Sequence, residues 1–115
     1  MGASMPDLTQ PSQPVPAELL ESIVAYFHPR RVILFGSRAR GDAGEASDID
    51  LLVELDDDVA PEQLSAKAIQ NARNGYRDPV DIVPYRASVL AARARAIVSF
   101  VHIVLRDGVT VYERS

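Results

Sequence analysis

The chain has 115 residues, of which 47% are hydrophobic, and a formal net charge of −4 at pH 7. This length supports one domain with a modest core, and the composition excludes wholesale disorder. The negative charge argues against general binding to a nucleic-acid backbone. The absence of cysteine excludes a disulfide framework and a thiolate metal site.

No uninterrupted apolar run approaches the length of a transmembrane helix, and the N-terminus lacks the apolar segment of a secretory signal. We therefore expect a soluble, cytoplasmic domain without a membrane partner. Residues 1–15 are rich in Pro, Ser and Gln and are predicted to form a flexible N-terminal arm, either native or a cloning remnant. Residues 16–115 are predicted to form the folded domain.

The first predicted element is an amphipathic helix. Pro16 suits the first position of a helix, and Pro29 ends it after about His28. The apolar residues between them recur at helical spacing: Leu19, Leu20, Ile23, Val24 and Phe27. His28 is expected to be a solvated or capping residue rather than a ligand.

The stretch from Arg31 to Leu55 is the part of the sequence that indicates chemistry. Its apolar residues Val32 to Phe35 predict a buried strand that stops at Gly36. A Gly-Ser pair that leaves a strand and opens a helix exposes backbone N–H groups where a phosphate could sit. In the returning strand, predicted from about Asp48 to Leu55, Asp48 and Asp50 point to one face. Two carboxylates beside a phosphate cradle suit a magnesium-bound nucleotide.

The segments around this stretch are predicted to be polar or helical. A short helix carries Arg38 and Arg40 and ends at Gly41, and a polar loop follows. The acidic turn 56–58 could suggest a metal site, but a solvated loop is the better interpretation. Residues 61–74 predict one helix, with inward side chains at Leu64, Ala68, Ile69 and Ala72 and its end at Asn74 and Gly75.

A third strand is predicted from Val80 to Pro84. If it pairs with the strand that carries Asp50, the neighbouring backbones lie about 4.8 Å apart, and Asp81 could complete a cluster of three carboxylates. From composition alone, an isolated strand aspartate is more often a solvent contact at a strand end.

The last third of the chain leaves alternatives open. Ser88 can cap a helix, and residues 96–113 fit either a hairpin with Asp107-Gly108 as its turn or a helix followed by a strand. As a helix, the apolar run 96–105 is apolar beyond one stripe, so it is either fully buried or meets a partner. His102 is expected to be packed or interfacial. Four arginines form either a solvated helix face or a basic edge for an acidic partner or a triphosphate: Arg86, Arg93, Arg95 and Arg106.

One motif resembles a known family. Gly36-Ser37, ten further residues and then Asp48-x-Asp50 resemble the signature of the DNA polymerase β-type nucleotidyltransferase superfamily. The string GSRARGDAGEASDIDLLV resembles its minimal nucleotidyltransferase (MNT) branch, as in antitoxins of HEPN/MNT toxin–antitoxin pairs. The resemblance implies an α/β (α+β) fold, with a small mixed β-sheet and helices packed mainly on one face. It favours a helix, a Gly turn and a short strand for the C-terminal residues.

The resemblance also implies roles for the site residues. Asp48, Asp50 and Asp81 would be the catalytic carboxylates that bind two Mg²⁺ ions, with Asp81 beside the attacking hydroxyl. The nucleotide-binding residues would be Gly36 and Ser37 at the β,γ-phosphates and one of Arg38 and Arg40. The expected reaction transfers a nucleoside monophosphate, AMP from ATP, to a hydroxyl group.

The resemblance implies a protein acceptor brought in by complex formation, because larger family members hold other substrates with an additional domain that so short a chain is not expected to contain. In the HEPN-paired branch the acceptor is a tyrosine of the partner toxin, which makes the chain a protein adenylyltransferase that acts as an antitoxin by AMPylation. Direct binding of nucleic acid is not expected. Two alternatives remain: a non-catalytic binding module that neutralises its partner by occlusion, and a transferase that acts on a small molecule.

Overall fold

The structure is a computed structural model that describes residues 15–36, 39 and 49–114. Its strands are β1 (Arg31–Phe35), β2 (Ile49–Leu55), β3 (Val80–Arg86) and β4 (Val109–Glu113). Its helices are α1 (Ala17–Phe27), α2 (Ala66–Arg73), α3 (Ala87–Ala94) and α4 (Phe100–Asp107), and a 3-10 turn spans Pro61–Leu64. Within this part of the chain, no helix has both the length and the hydropathy needed to cross a membrane.

The four strands form one mixed sheet in the order β3-β2-β1-β4. Strand β1 pairs antiparallel with both β2 and β4, whereas β2 and β3 are parallel. A parallel pair needs a crossover connection, which the 3-10 turn and α2 provide. The predicted α+β fold with a mixed sheet is therefore confirmed.

The sheet separates two hydrophobic cores because successive strand residues point to opposite faces. On β2, Leu51 belongs to the larger core with α1 and α2, whereas Leu52 belongs to the smaller core with α3 and α4. The larger helical layer thus covers one face, and a second, smaller layer covers part of the other. Val15, the last residue of the predicted arm, is fully buried in the larger core; residues 1–14 of that arm lie outside the described residues.

Helix α1 closely follows the prediction. It begins one residue after Pro16 and ends at His28, whose left-handed backbone (φ 49°) lets its N–H donate to the Val24 carbonyl. The predicted capping role of exposed His28 is confirmed.

The prediction of one continuous helix over residues 61–74 is wrong. The 3-10 turn is separated from α2 by Ser65, whose backbone is extended (φ −85°, ψ 163°). The Ser65 hydroxyl accepts a hydrogen bond from the Ala68 N–H (3.1 Å), so this serine caps a new helix. The predicted end is confirmed, with positive φ at both Asn74 and Gly75.

Helix α3 is capped from a distant part of the chain. Ser88 lies inside the helix, so its predicted capping role is wrong; its backbone N–H instead donates to the Asp57 carboxylate (2.8 Å). The neighbouring residue Asp56 accepts two hydrogen bonds from Arg114, and the shorter of the two is 2.9 Å long. The acidic turn is near the surface, as predicted, but two of its three carboxylates have fixed partners.

The C-terminal residues adopt the helix-and-strand alternative rather than the hairpin. Helix α4 begins at Phe100, and the Ser99 hydroxyl caps it by accepting a hydrogen bond from the His102 backbone N–H. The His102 ring Nδ1 lies 2.9 Å from the Ala94 carbonyl oxygen. His102 is thus a packed residue that joins the end of α3 to α4. The residues before α4 are not buried: Ile97 is 74% and Val98 is 92% exposed. A fully buried run is therefore excluded.

Replacing Asp57 with Ala should lower the thermal unfolding midpoint modestly at neutral pH, because the N-terminus of α3 loses its cap. The hydrogen bond from the Ser88 backbone lowers the pKa of Asp57 in the folded protein, so its stabilisation is complete above the unfolded-state pKa. That stabilisation disappears as the pH falls from about 4 through the lowered pKa. When thermal unfolding is measured at a series of pH values, the unfolding midpoints of Asp57→Ala and of the wild type should therefore become equal in acid. The control is Asp58→Ala, whose unfolding midpoint should equal that of the wild type at every pH. If the difference in midpoint between Asp57→Ala and the wild type grew in acid, this account would be contradicted.

Candidate functional site

Two of the predicted carboxylates lie side by side at one end of the sheet. Asp50 on β2 and Asp81 on β3 are register partners in the parallel pair, so their Cα atoms lie roughly 5 Å apart. Their strand neighbours Ile49, Leu51 and Ile82 are buried in the larger core. Asp50 and Asp81 therefore project together from the opposite face, where Asp50 is half-buried and Asp81 is exposed.

Gly36 lies directly against the Asp50 carboxylate. Its backbone is left-handed (φ +81°), and a Cβ atom at this position would overlap the Asp50 Oδ2. Any side chain at position 36 would thus be strained and would displace that carboxylate. The sequence singled out Gly36 for an approach to phosphate, but nothing in the local pattern indicated its contact with Asp50, fourteen residues further along the chain.

An aromatic pair adjoins the carboxylates on the same face. Phe35 is the antiparallel register partner of Asp50, which places their Cβ atoms about 5 Å apart. The Phe100 ring packs edge-on against Phe35, with 5.2 Å between centroids, and Phe100 is 46% exposed. This contact was not predicted, because it joins β1 to a helix 65 residues later.

The other predicted site residues lie outside the described residues: Ser37, Arg38, Arg40 and Asp48. Near them, the Ala39 N–H donates to the Gly36 carbonyl (3.1 Å), and Ala39 packs against the larger core. Ala39 therefore lies close to Gly36 and to the larger core. Gly36 is at the same end of the sheet as the carboxylate pair.

The carboxylate pair fits the donor chemistry of a hard divalent cation. Carboxylate oxygens are the ligands that Mg²⁺ prefers, and Asp50 and Asp81 supply them from adjacent strands. Among the described residues, no group of three His, Cys, Asp or Glu side chains is arranged for a metal. The third carboxylate expected from the sequence, Asp48, is outside that part of the chain.

The C-terminal arginines differ in their surroundings. Arg86 donates to the Val59 carbonyl (3.0 Å), and Arg106 pairs with neighbouring Asp107 (2.9 Å). The Arg93 guanidinium lies over the Tyr85 ring, 5.7 Å from its centroid. Arg86 and Arg106 thus have structural partners, whereas exposed Arg93 and Arg95 remain on the surface of the α3–α4 layer.

A polar cleft of about 420 Å³ lies away from the carboxylate pair, at the end of the sheet where β1 begins; its lining is Arg30, Arg31, Glu54, Glu113 and Arg114. Its charges already neutralise one another through ion pairs between Arg31 and Glu54 (2.8 Å) and between Arg114 and Asp56 (2.9 Å). The Arg114 hydrogen bond lowers the pKa of Asp56 and keeps this carboxyl ionised. The cleft is therefore best explained as a structural ion-pair cluster.

Comparison with known proteins agrees with the geometry. Residues 17–103 match the family model described as nucleotidyltransferase domain, a range that includes Gly36, the carboxylate pair and the start of α4. No curated protein matches the chain. Because the family match extends from α1 into α4 and covers most of the chain, this protein belongs to the nucleotidyltransferase domain family, whose reaction transfers a nucleoside monophosphate from a nucleoside triphosphate.

Proposed function

We propose that the protein transfers AMP from ATP to a hydroxyl group of a protein acceptor, at the end of the sheet that carries Asp50 and Asp81. The observation that carries this proposal is the in-register carboxylate pair with Gly36 packed against it. Two carboxylates in register on adjacent strands offer paired oxygen ligands, which is the donor chemistry that a hard divalent cation prefers. A bound divalent cation would also offset the repulsion between two like charges so close together.

In the proposed reaction the acceptor oxygen attacks the α-phosphorus of ATP. A new oxygen–phosphorus bond forms, the bond from the α-phosphorus to the α,β-bridging oxygen breaks, and pyrophosphate leaves with the bonding electron pair. Asp50 and Asp81, with Asp48, would hold the Mg²⁺ ions, which when bound offset the negative charge of the phosphates. Asp81, as the exposed carboxylate, is proposed to take the proton of the acceptor hydroxyl.

The residues after β1 are assigned to the triphosphate. Gly36 leaves room for a close backbone approach and keeps Asp50 in place. Ser37 would donate its hydroxyl to the phosphates, and one of Arg38 and Arg40 would stabilise the charge that develops on them. These assignments rest on the resemblance of the motif and on the packing of Gly36 against Asp50.

The acceptor we propose is a tyrosine of a HEPN-type toxin, which makes the chain an antitoxin. Two features support a protein acceptor. The resemblance of the Gly36–Val53 motif is to the branch that modifies such toxins. Large apolar side chains are also exposed, at Phe100 next to Phe35 and at Ile97 and Val98 just before it in the chain. A tyrosine hydroxyl is a suitable nucleophile once a carboxylate accepts its proton.

Transfer of label from α-³²P-ATP to protein tests this function. The purified chain and Mg²⁺ are added to a lysate of the source cell, and labelled proteins are identified by mass spectrometry. We expect one labelled acceptor, loss of label with EDTA, and stronger competition by ATP than by the other three nucleoside triphosphates. An absence of labelled protein with all four α-labelled triphosphates would contradict the proposal.

The binding-module alternative also draws on the exposed apolar residues, since a protein that neutralises by occlusion needs a docking surface. It predicts that Asp50→Asn still neutralises the partner, whereas Val98→Asp does not. The enzymatic proposal predicts that Asp50→Asn binds the partner but fails to neutralise it. Growth of cells that express both partners, together with a pull-down, separates the two.

A further inference from the structure

The exposed apolar residues of this protein are concentrated in one part of the fold. Among the described residues, all the large hydrophobic side chains that are exposed lie on α3, on α4, at the start of β4 or in the connection between α3 and α4. Helices α1 and α2, which cover the other face, have none. Five of the six exposed side chains belong to the α3–α4 layer, and the sixth, Val109, is on β4 opposite Leu34. Such a concentration of exposed apolar side chains marks a candidate interaction surface.

The same layer is rich in arginine. From Ile82 to Arg106 the sequence contains four arginines and no aspartate or glutamate, although the whole chain has a net charge of −4. The one acidic residue of α4, Asp107, is paired with Arg106. Two of these arginines, Arg93 and Arg95, are exposed at the end of α3 immediately before Ile97 and Val98. We define the rim patch as Arg95, Ile97, Val98 and Phe100.

One member of the rim patch, Phe100, connects it to the carboxylate pair. Phe100 packs on Phe35, and Phe35 is the cross-strand neighbour of Asp50. Val98, which is 92% exposed, is two residues before Phe100. A macromolecule seated on this patch would therefore have part of its surface beside the site of transfer.

We infer that the rim patch is the docking surface for the acceptor protein and that it binds an acidic surface with an apolar centre. This inference rests on the proposed function. Charge selects the occupant, because the two exposed arginines at the end of α3, Arg93 and Arg95, precede exposed aliphatic side chains and complement acidic side chains next to an apolar anchor. A second copy of this chain fits less well, since a two-fold interface would place each Arg95 near the arginines of the other copy. Nucleic acid also fits less well, because the most exposed side chains of the patch are aliphatic.

Two substitutions test the patch with little risk to folding. Val98→Asp removes the most exposed apolar side chain, and Arg95→Glu reverses an exposed charge; neither side chain is part of either core. Their matched controls are Ala25→Asp on α1 and Lys67→Glu on α2, which make the same kinds of change at exposed positions of the opposite layer. Thermal unfolding verifies that all four variants are folded.

Each protein is measured in two assays. Affinity for the magnesium complex of α,β-methylene-ATP, determined by calorimetry, reports the nucleotide site alone. Transfer of label from α-³²P-ATP to protein in the lysate reports the acceptor as well. We expect both patch variants to bind the nucleotide within twofold of wild type and to label the acceptor at least tenfold more slowly, while the controls match wild type in both assays. Wild-type labelling should also weaken between 50 and 300 mM NaCl, and less so for Arg95→Glu.

The outcomes separate this inference from the proposed function. Normal labelling by the patch variants, with wild type active, overturns the docking surface and leaves the function intact. A wild type that binds nucleotide but labels no protein overturns both. Loss of nucleotide binding in Val98→Asp would assign the patch to the nucleotide site. Labelling that disappears after nuclease treatment would assign it to nucleic acid binding. If the wild type were a dimer and Val98→Asp dissociated it, the patch would be a self-association surface. Each of these three results overturns the inference.

Discussion

Gly36→Ala should lose transfer activity by about a hundredfold while the protein stays folded. The new Cβ would overlap the Asp50 carboxylate, so this carboxylate would have to move from its observed position. An error of about 1 Å in the position of a reacting group is sufficient for a hundredfold loss. The free energy of unfolding should fall by only about 1–2 kcal/mol, the usual cost of a left-handed alanine.

Gly75→Ala is a matched control for this prediction. Gly75 has nearly the same backbone angle (φ +84°) but no atom within 4 Å of the position of a Cβ. The two variants should therefore lose similar stability in thermal or urea unfolding, whereas only Gly36→Ala should lose transfer. If Gly36→Ala were as active as Gly75→Ala, Asp50 would not need its observed position, and the proposed site would be incorrect.

The parts of the fold that could be predicted are those determined by local pattern. The apolar run Val32–Phe35 predicts β1, and the side chains that alternate between the two faces around Asp50 predict β2, because strand burial has a period of two residues. The sequence alone did not determine whether β2 pairs with β3. Register is determined by how the whole sheet packs, and the structure shows it as Asp50 opposite Asp81.

The prediction failed where a distant residue takes a role that a local residue could also fill. Ser88 is a good capping residue by type, but Asp57, 31 residues earlier, accepts the N–H at the start of α3. Ser65 gave a usable signal, since serine before a helical run favours a new helix start, but the apolar spacing suggested one continuous helix. The exposure of Val98 could not be predicted, because periodicity does not reveal what covers an apolar residue.

For the candidate site, the spacing of residues in the sequence indicated which side chains form the site. It did not indicate which distant residues these side chains contact. The two-residue spacing of Asp48 and Asp50 indicates a shared strand face, and the family resemblance adds Asp81. The packing of Gly36 against Asp50 and of Phe100 against Phe35 joins segments far apart in the chain. These contacts connect the carboxylate pair to its support and to the rim patch.

Asp81→Asn should strongly reduce transfer and yet slightly stabilise the metal-free protein. Asp50 and Asp81 are like charges in register on adjacent strands, so removing the exposed Asp81 charge reduces their mutual repulsion. If the proposed reaction is correct, transfer should fall by about a hundredfold to a thousandfold, because the acceptor proton and the phosphate charge lose the group assigned to them. Millimolar Mg²⁺ should raise the unfolding midpoint of wild type but not of Asp81→Asn, since a ligand stabilises only the state that binds it.

Asp58→Asn is the control, because it removes one negative charge from an exposed position in the acidic turn. It should leave transfer and the Mg²⁺-dependent rise in the midpoint unchanged. Asp50→Asn should lose as much transfer as Asp81→Asn, and the double variant little more, because groups that act as a unit are not additive. Persistence of the Mg²⁺ effect in Asp81→Asn would exclude this aspartate as a metal ligand, whereas multiplicative losses in the double variant would show that the two carboxylates act independently.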